Sequence, residues 1–174
     1  MAQREVESFE RLVLPHLDDA YALACHLLRD EHDAQDVVQE AVLRALRYFD
    51  GYRDGDARAW LLAIVRNCCH TWYRRHRADR LSVSYAEAET SPQLHGAAAD
   101  AGAIRSSESA AIDRAVASLP PEFREVIVLR ELHELSYREI SQVTGVPMGT
   151  VMSRLARARK RLASSLGLHV REAS

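Results

Sequence analysis

No stretch of this 174-residue sequence approaches the roughly 18 consecutive apolar residues that a membrane-spanning helix needs, so none is expected. The opening MAQREVESFERL is acidic and lacks an apolar core, so a secretory signal is not expected either. Cysteine is scarce: Cys25, Cys68 and Cys69 are an odd number, with two of them adjacent. That is a poor disulfide framework and suits a reducing compartment, which points to the cytoplasm. There is no glycine-rich phosphate loop, nucleophile motif or metal-hydrolase pattern. The chain is therefore expected to be no enzyme and to need no cofactor. Lysine is nearly absent: among 23 basic residues only Lys160 is not arginine. The net charge of −2, taken as a total, speaks against a wholesale basic binder of nucleic acid.

The total hides a segregation. Residues 1–50 carry 5 basic and 11 acidic groups, and residues 51–80 carry 7 and 3. Residues 81–111 carry 1 and 4, residues 112–146 carry 4 and 6, and residues 147–174 carry 6 and 1. Two basic segments thus sit in an acidic background. Such patches suit nucleic-acid contact, and charge alone fits two solvated helical faces equally well.

Apolar residues recur at helical spacing through most of the chain. After a break near Pro15, Leu17, Tyr21, Ala24, Leu27 and Leu28 follow at intervals of three and four. Asp33, with Asp36 three residues on, reads as the start of a helix whose stripe is Val37, Val38, Ala41, Val42, Ala45, Leu46 and Phe49. Gly51 to Asp56 reads as a loop. Asp56 then caps a long helix with Trp60, Leu61, Ile64, Val65, Cys68 and Trp72 turned inward. Residues 81–111 have few large apolar groups and no period, so they read as a flexible linker. The expectation is all-α: two small helical domains, 1–80 and 112–174, on either side of that linker.

The second domain carries a recognisable pattern. Pro120-Pro121 separates a helix bearing Ile112, Val116 and Leu119 from one bearing Phe123, Val126, Ile127 and Arg130. Ser136 and Glu139 form a capping box before a short helix, Gly145 supplies a turn, and a longer helix follows with Val151, Leu155, Ala158 and Leu162 inward. That is a helix-turn-helix, whose second helix enters the major groove of DNA. Its remaining faces carry Thr150, Ser153, Arg154, Arg157, Arg159 and Arg161. Arginine can grip guanine or phosphate, and Ser or Thr can serve either. Cations at a helix end also complement its dipole, which accounts equally for Arg159, Lys160 and Arg161.

The first basic segment has a different character. Six of the eleven aromatics, Tyr48, Phe49, Tyr52, Trp60, Trp72 and Tyr73, fall beside Arg66, Arg74, Arg75 and Arg77. Aromatic faces plus cations are what holding unpaired bases requires. Trp60 and Trp72 share the apolar stripe and are expected in the core. Cys68, Cys69, His70 and His76 invite a metal reading. Adjacent residues on a helix point about 100° apart, however, and no metal is expected.

Three ordered segments resemble bacterial RNA polymerase sigma factors of the extracytoplasmic-function type. DAQDVVQEAVLRALRYF (33–49) resembles the polymerase-binding part of sigma domain two. RAWLLAIVRNCCHTWYRRHR (58–77) resembles the segment that melts and reads the minus-ten element. LPPEFREVIVLRELHELSYREISQVTGVPMGTVMSRLARARKRL (119–162) resembles sigma domain four. The resemblance implies a subunit that joins core RNA polymerase, directs it to promoter DNA and is held by an anti-sigma factor. It implies polymerase contacts at Asp33, Asp36, Gln39 and Glu40. It implies minus-ten strand contacts at Tyr52, Arg66, Asn67, His70, Arg74 and Arg75, and minus-thirty-five contacts from the last helix. Where the family often has Lys or Arg before the Ser of that helix, this chain has Met152. A contact there is lost, or replaced by an apolar one such as with a thymine methyl. The alternative is a stand-alone helix-turn-helix regulator, which would bind duplex DNA without polymerase.

Overall fold

A computed structural model describes residues 3–53, 55–83 and 103–167. The described residues contain helices and no strand. In chain order the helices are α1 (Gln3–Val13), α2 (Leu17–Leu28), α3 (Glu31–Arg47), α4 (Ala57–Val83), α5 (Ala103–Ser118), α6 (Pro121–Ile127), α7 (Tyr137–Thr144) and α8 (Met148–Ser165). The chain divides into two compact units. α1 to α4 belong to the first, and α5, α6, α8 and the start of α7 to the second.

In the first unit α2, α3 and α4 pack against one another, and α1 lies on α4. Ala20 and Ala24 of α2 and Ala34, Ala41 and Ala45 of α3 are buried, and such short side chains let helix axes approach closely. Leu61, Leu62 and Val65 of α4 are fully enclosed, each contributing about 1.5–3 kcal/mol of transfer free energy. The α3 stripe is narrower than its periodicity predicts. Val37, Ala41 and Ala45 are buried, whereas Val38, Val42 and Leu46 are only partly covered. Trp60 and Trp72 are likewise partly exposed rather than core. Trp60 packs on Phe49 and Tyr52 beside the loop, and Trp72 stacks on His76 at 4.0 Å.

The α2–α3 junction differs from its sequence reading. Arg29 adopts a left-handed conformation (φ 63°), and Asp30, not Asp33, is the N-cap. The Asp30 carboxylate accepts the amides of His32 at 2.9 Å and Asp33 at 3.0 Å. A left-handed arginine costs about 1–2 kcal/mol and gives no glycine signal, which is why the boundary is hard to read. Asp56 does cap α4, accepting from Arg58 at 2.9 Å and Ala59 at 3.3 Å.

Both ends of the stretch 81–111 are helical, because α4 runs to Val83 and α5 starts at Ala103. Alanine-rich sequence is strongly helix-forming even where it has little to bury, and absence of large apolar groups is not absence of helix. The remainder of that stretch lies outside the described residues.

In the second unit α6 packs on α8 around Val126, Ile127, Val151, Leu155 and Ala158. Arg124 is buried and donates to the carbonyls of Ala117 (2.7 Å) and Leu119 (2.9 Å), which satisfies the end of α5. Arg130 donates to the Leu135 carbonyl at 2.8 Å and lies over the Tyr137 ring. These two arginines are structural. After α6 the backbone widens into a π-turn, Val128–Leu132, and Glu134 takes φ 56° before the next helix. The capping box of Ser136 and Glu139 is formed, and Gly145 makes the turn at φ 71°.

Cys25, Cys68 and Cys69 are buried free thiols. Burial pushes the Cys25 thiol up, and likewise that of Cys68, where Arg44 pulls the other way. The thiolate is the reactive form, so iodoacetamide should modify the native protein far more slowly than the guanidinium-unfolded chain. Equal rates would contradict the packing. Asp30→Ala should lower the unfolding free energy by about 1 kcal/mol, the usual worth of an N-cap, and Asp33→Ala by less. Denaturant titration decides; the reverse ranking would return the cap to Asp33.

Candidate nucleic-acid interface

Helix α8 starts after Pro147 with no side-chain cap, and because Thr150 and Val151 donate their amides to the Pro147 carbonyl at 2.8 and 3.1 Å, only the amides of Met148 and Gly149 are left for an anion. The helix contains no acidic residue. Its stripe of Val151, Leu155 and Ala158 is buried, which turns the other positions outward. Ser153 and Arg157 are exposed, Thr150 and Arg154 partly so. The Ser153 hydroxyl donates to the Thr150 carbonyl at 3.0 Å. Among the described residues no carboxylate pairs with Arg154 or Arg157. Arg159 differs: it lies on the opposite flank and pairs with Glu131 at 2.7 Å, which raises its pKa. Arg161 places its guanidinium 5.3 Å from the Phe123 ring centre. Arg157, Lys160 and Arg161 together rim an open cleft of about 740 Å³ floored by Leu119, Pro120 and Phe123. Lys160 was not among the predicted contacts. Helical spacing puts it with Ser153 and Arg157, the signal that could have found it.

On α4, burial of Leu61, Val65 and Cys68 directs Asn67, His70 and Arg74 to one exposed face, with Arg66 at its edge. Arg66 donates to the Asn67 side chain at 3.3 Å. Arg75 is exposed too, but about 100° round the helix from Arg74. Cys68 and Cys69 face the core while His70 and His76 are exposed, so these four do not converge. Tyr52 sits apart from this face. Its ring stacks on Phe49 at 5.7 Å and leans on Trp60 at 5.1 Å, and its hydroxyl donates to the Gly55 carbonyl. That arrangement braces the loop after α3. Tyr73, which periodicity did not single out, donates to the Leu27 carbonyl and ties α4 to the end of α2.

On α3, Asp36 and Gln39 are exposed and Glu40 is partly so, paired with Arg44 one turn on. Asp33 lies at the start of the helix, partly buried. Burial, then the Asp30 carboxylate, raise its carboxyl above the ordinary range. Leu43, 63% exposed, stands on the same outward strip as Asp36 and Gln39. A large apolar residue at a polar position of the wheel was its sequence signal. No helix among the described residues is long and apolar enough to cross a membrane.

Comparison with known proteins shows the family. The family described as Sigma-70 region 2 matches residues 12–79, and Sigma-70, region 4 matches residues 109–162. The chain is 35% identical to the ECF RNA polymerase sigma factor SigE of Mycolicibacterium smegmatis, covering 98% of this chain and 66% of that one. It is 31% identical to the RNA polymerase sigma-H factor of Pseudomonas aeruginosa, covering 95% and 90%. It is also 31% identical to the ECF sigma factor SigW of Bacillus subtilis, covering 92% and 89%. Among solved structures, the sigma factor RpoE of Bartonella quintana, in complex with the anti-sigma factor NepR, has a TM-score of 0.79 at 25% identity, covering 94% and 99%. CnrH, in complex with the cytosolic domain of CnrY, has a TM-score of 0.64 at 28% identity, covering 92% and 88%. With both regions present in order, and close to a third of residues shared across nearly whole relatives, the chain belongs to the sigma-70 family of RNA polymerase sigma factors, among its ECF members.

Proposed function

We propose that this chain is a promoter-specificity subunit that joins core RNA polymerase and directs initiation at a particular promoter set. One observation supports this most: two cation-bearing helix faces, on α4 and α8, lie in separate units that match sigma regions 2 and 4 in order. Residues 1–80 act as the polymerase-binding and minus-ten domain, and 112–174 as the minus-thirty-five domain. Asp33, Asp36, Gln39 and Glu40 present an acidic, polar strip to the polymerase, and charge complementarity there steers docking. Arg66, Asn67, His70, Arg74 and Arg75 hold the opened minus-ten strand, and Tyr52 shapes the loop beside it. Taking a base out of the stack costs a few kcal/mol, which capture of the exposed base offsets.

Thr150, Ser153, Arg154 and Arg157 face the upstream element in the major groove, while Arg161 grips its backbone. Arg159, engaged by Glu131, contributes less. Catalysis belongs to the polymerase, and the chain works in the cytoplasm with it. The Bartonella relative was solved with an anti-sigma factor, and an anti-sigma factor is the regulator we assign here.

A mobility shift of promoter DNA separates this from a stand-alone regulator. Specific binding should require core polymerase; equally tight binding by the chain alone would favour the regulator. Arg154→Ala and Arg157→Ala should each weaken binding to the upstream element by about 1–3 kcal/mol if they contact bases, and Arg159→Ala by less. Unchanged transcription from an element-dependent promoter in both variants would remove α8 from the assignment.

A further inference from the structure

The first turns of α8 hold a patch that the fold itself does not use. Met148 is 52% exposed and Met152 is 51% exposed, one turn apart on the same flank. Between them Gly149 has helical backbone angles, and a Cβ built on it would meet nothing within 4 Å. Alanine would fit there and would favour the helix, so neither backbone conformation nor internal packing calls for glycine. Ala156, also exposed and small, continues the line of Gly149 and Met152. A stripe kept small or apolar on an outward surface, with no internal cause, suits something that approaches closely from outside.

The chemistry of that partner follows from the rest of the helix. Every charged residue of α8 is a cation, and Arg154 and Arg157 have no carboxylate partner among the described residues. A polyanion fits this surface. The turn places this patch at the end of the helix that lies nearest the base edges in a helix-turn-helix. In the major groove the apolar feature of a base edge is the thymine C5-methyl. Methionine, unbranched and polarizable, can settle against such a group.

We propose that Met152 reads a thymine methyl in the upstream element, with Gly149 keeping the helix backbone close enough for the contact. This rests on the reading that α8 enters the major groove. It adds a specificity determinant that the arginines cannot supply, because a guanidinium offers only donors to base-edge acceptors and does not read the apolar thymine methyl.

The test uses holoenzyme reconstituted from this chain and core polymerase, on a promoter whose upstream element has been located by block scrambling. Each element thymine is replaced in turn by deoxyuridine, which lacks only the C5-methyl. One replacement should lower affinity about fourfold, the worth of one buried methyl-sized group. Met152→Ala should lose a similar factor on the thymine promoter and little more on the deoxyuridine one. Gly149→Ala should keep or raise the thermal midpoint while weakening binding to the element. Full deoxyuridine substitution without effect would overturn the proposal, as would a Met152→Ala holoenzyme as sensitive to the replacement as the parent. Weaker binding of Met152→Ala to core polymerase without DNA would make the patch a protein contact instead and overturn it too. If scrambling the upstream element changes nothing, the reading of α8 as a groove reader fails, and this proposal falls with it.

Discussion

Burial of one apolar stripe per helix fixes where the described cations of α4 and α8 point. On α8 the stripe is Val151, Leu155 and Ala158, and once it is packed on α6 the other side chains have no freedom of azimuth beyond their rotamers. On α4 the same role falls to Leu61, Val65 and Cys68. Each of these helices is anchored by transfer free energy that does not depend on charge, which leaves its outward face open to chemistry. The chain's arginines then sort by whether the fold already engages them. Arg124 and Arg130 hold backbone carbonyls, Arg58 holds Asp19 at 2.6 Å, and Arg159 holds Glu131. Arg154, Arg157, Arg74 and Arg75 are held by no carboxylate among the described residues.

That sorting gives the net charge of −2 a physical meaning. Sequence-independent affinity for duplex DNA scales with the number of phosphates neutralised. A chain whose basic patches are small, separate and set among acidic regions grips random DNA weakly. Its patches gain effect when a larger partner holds both on one promoter, since joining two weak contacts raises their effective concentration. A near-neutral total suits a specificity subunit better than a self-sufficient repressor, which has to hold DNA by itself.

Much of this was legible in the sequence because it rests on periodicity and local chemistry. Val151, Leu155 and Ala158 of α8, the capping box at Ser136 and Glu139, the turn at Gly145 and the cap at Asp56 all follow from spacing and residue type, whereas Leu162, read as inward, is only partly covered because it lies near the end of the helix. Other features arise from forces that spacing does not encode. The left-handed Arg29 has no glycine to announce it, so the start of α3 moves from Asp33 to Asp30. The π-turn after Ile127 has no composition of its own. Tyr52 reads as a stacking residue until its ring is seen packed on Phe49 and Trp60. Arg159 reads like its neighbours on α8 until a carboxylate 28 positions earlier in the chain is found beside it. Contacts between distant positions, together with αL backbone at ordinary residues, are the part a linear reading cannot supply.

The central claim is that two separate patches act together only when polymerase holds them. Sequencing of transcript starts made on genomic DNA by core polymerase, with and without this chain, tests it most directly. The account predicts a new set of starts that share two elements, one overlapping the melted region and one upstream, at a constant spacing. Starts that remain scattered as with core polymerase alone, or that share only an upstream duplex element at variable distance, would contradict it.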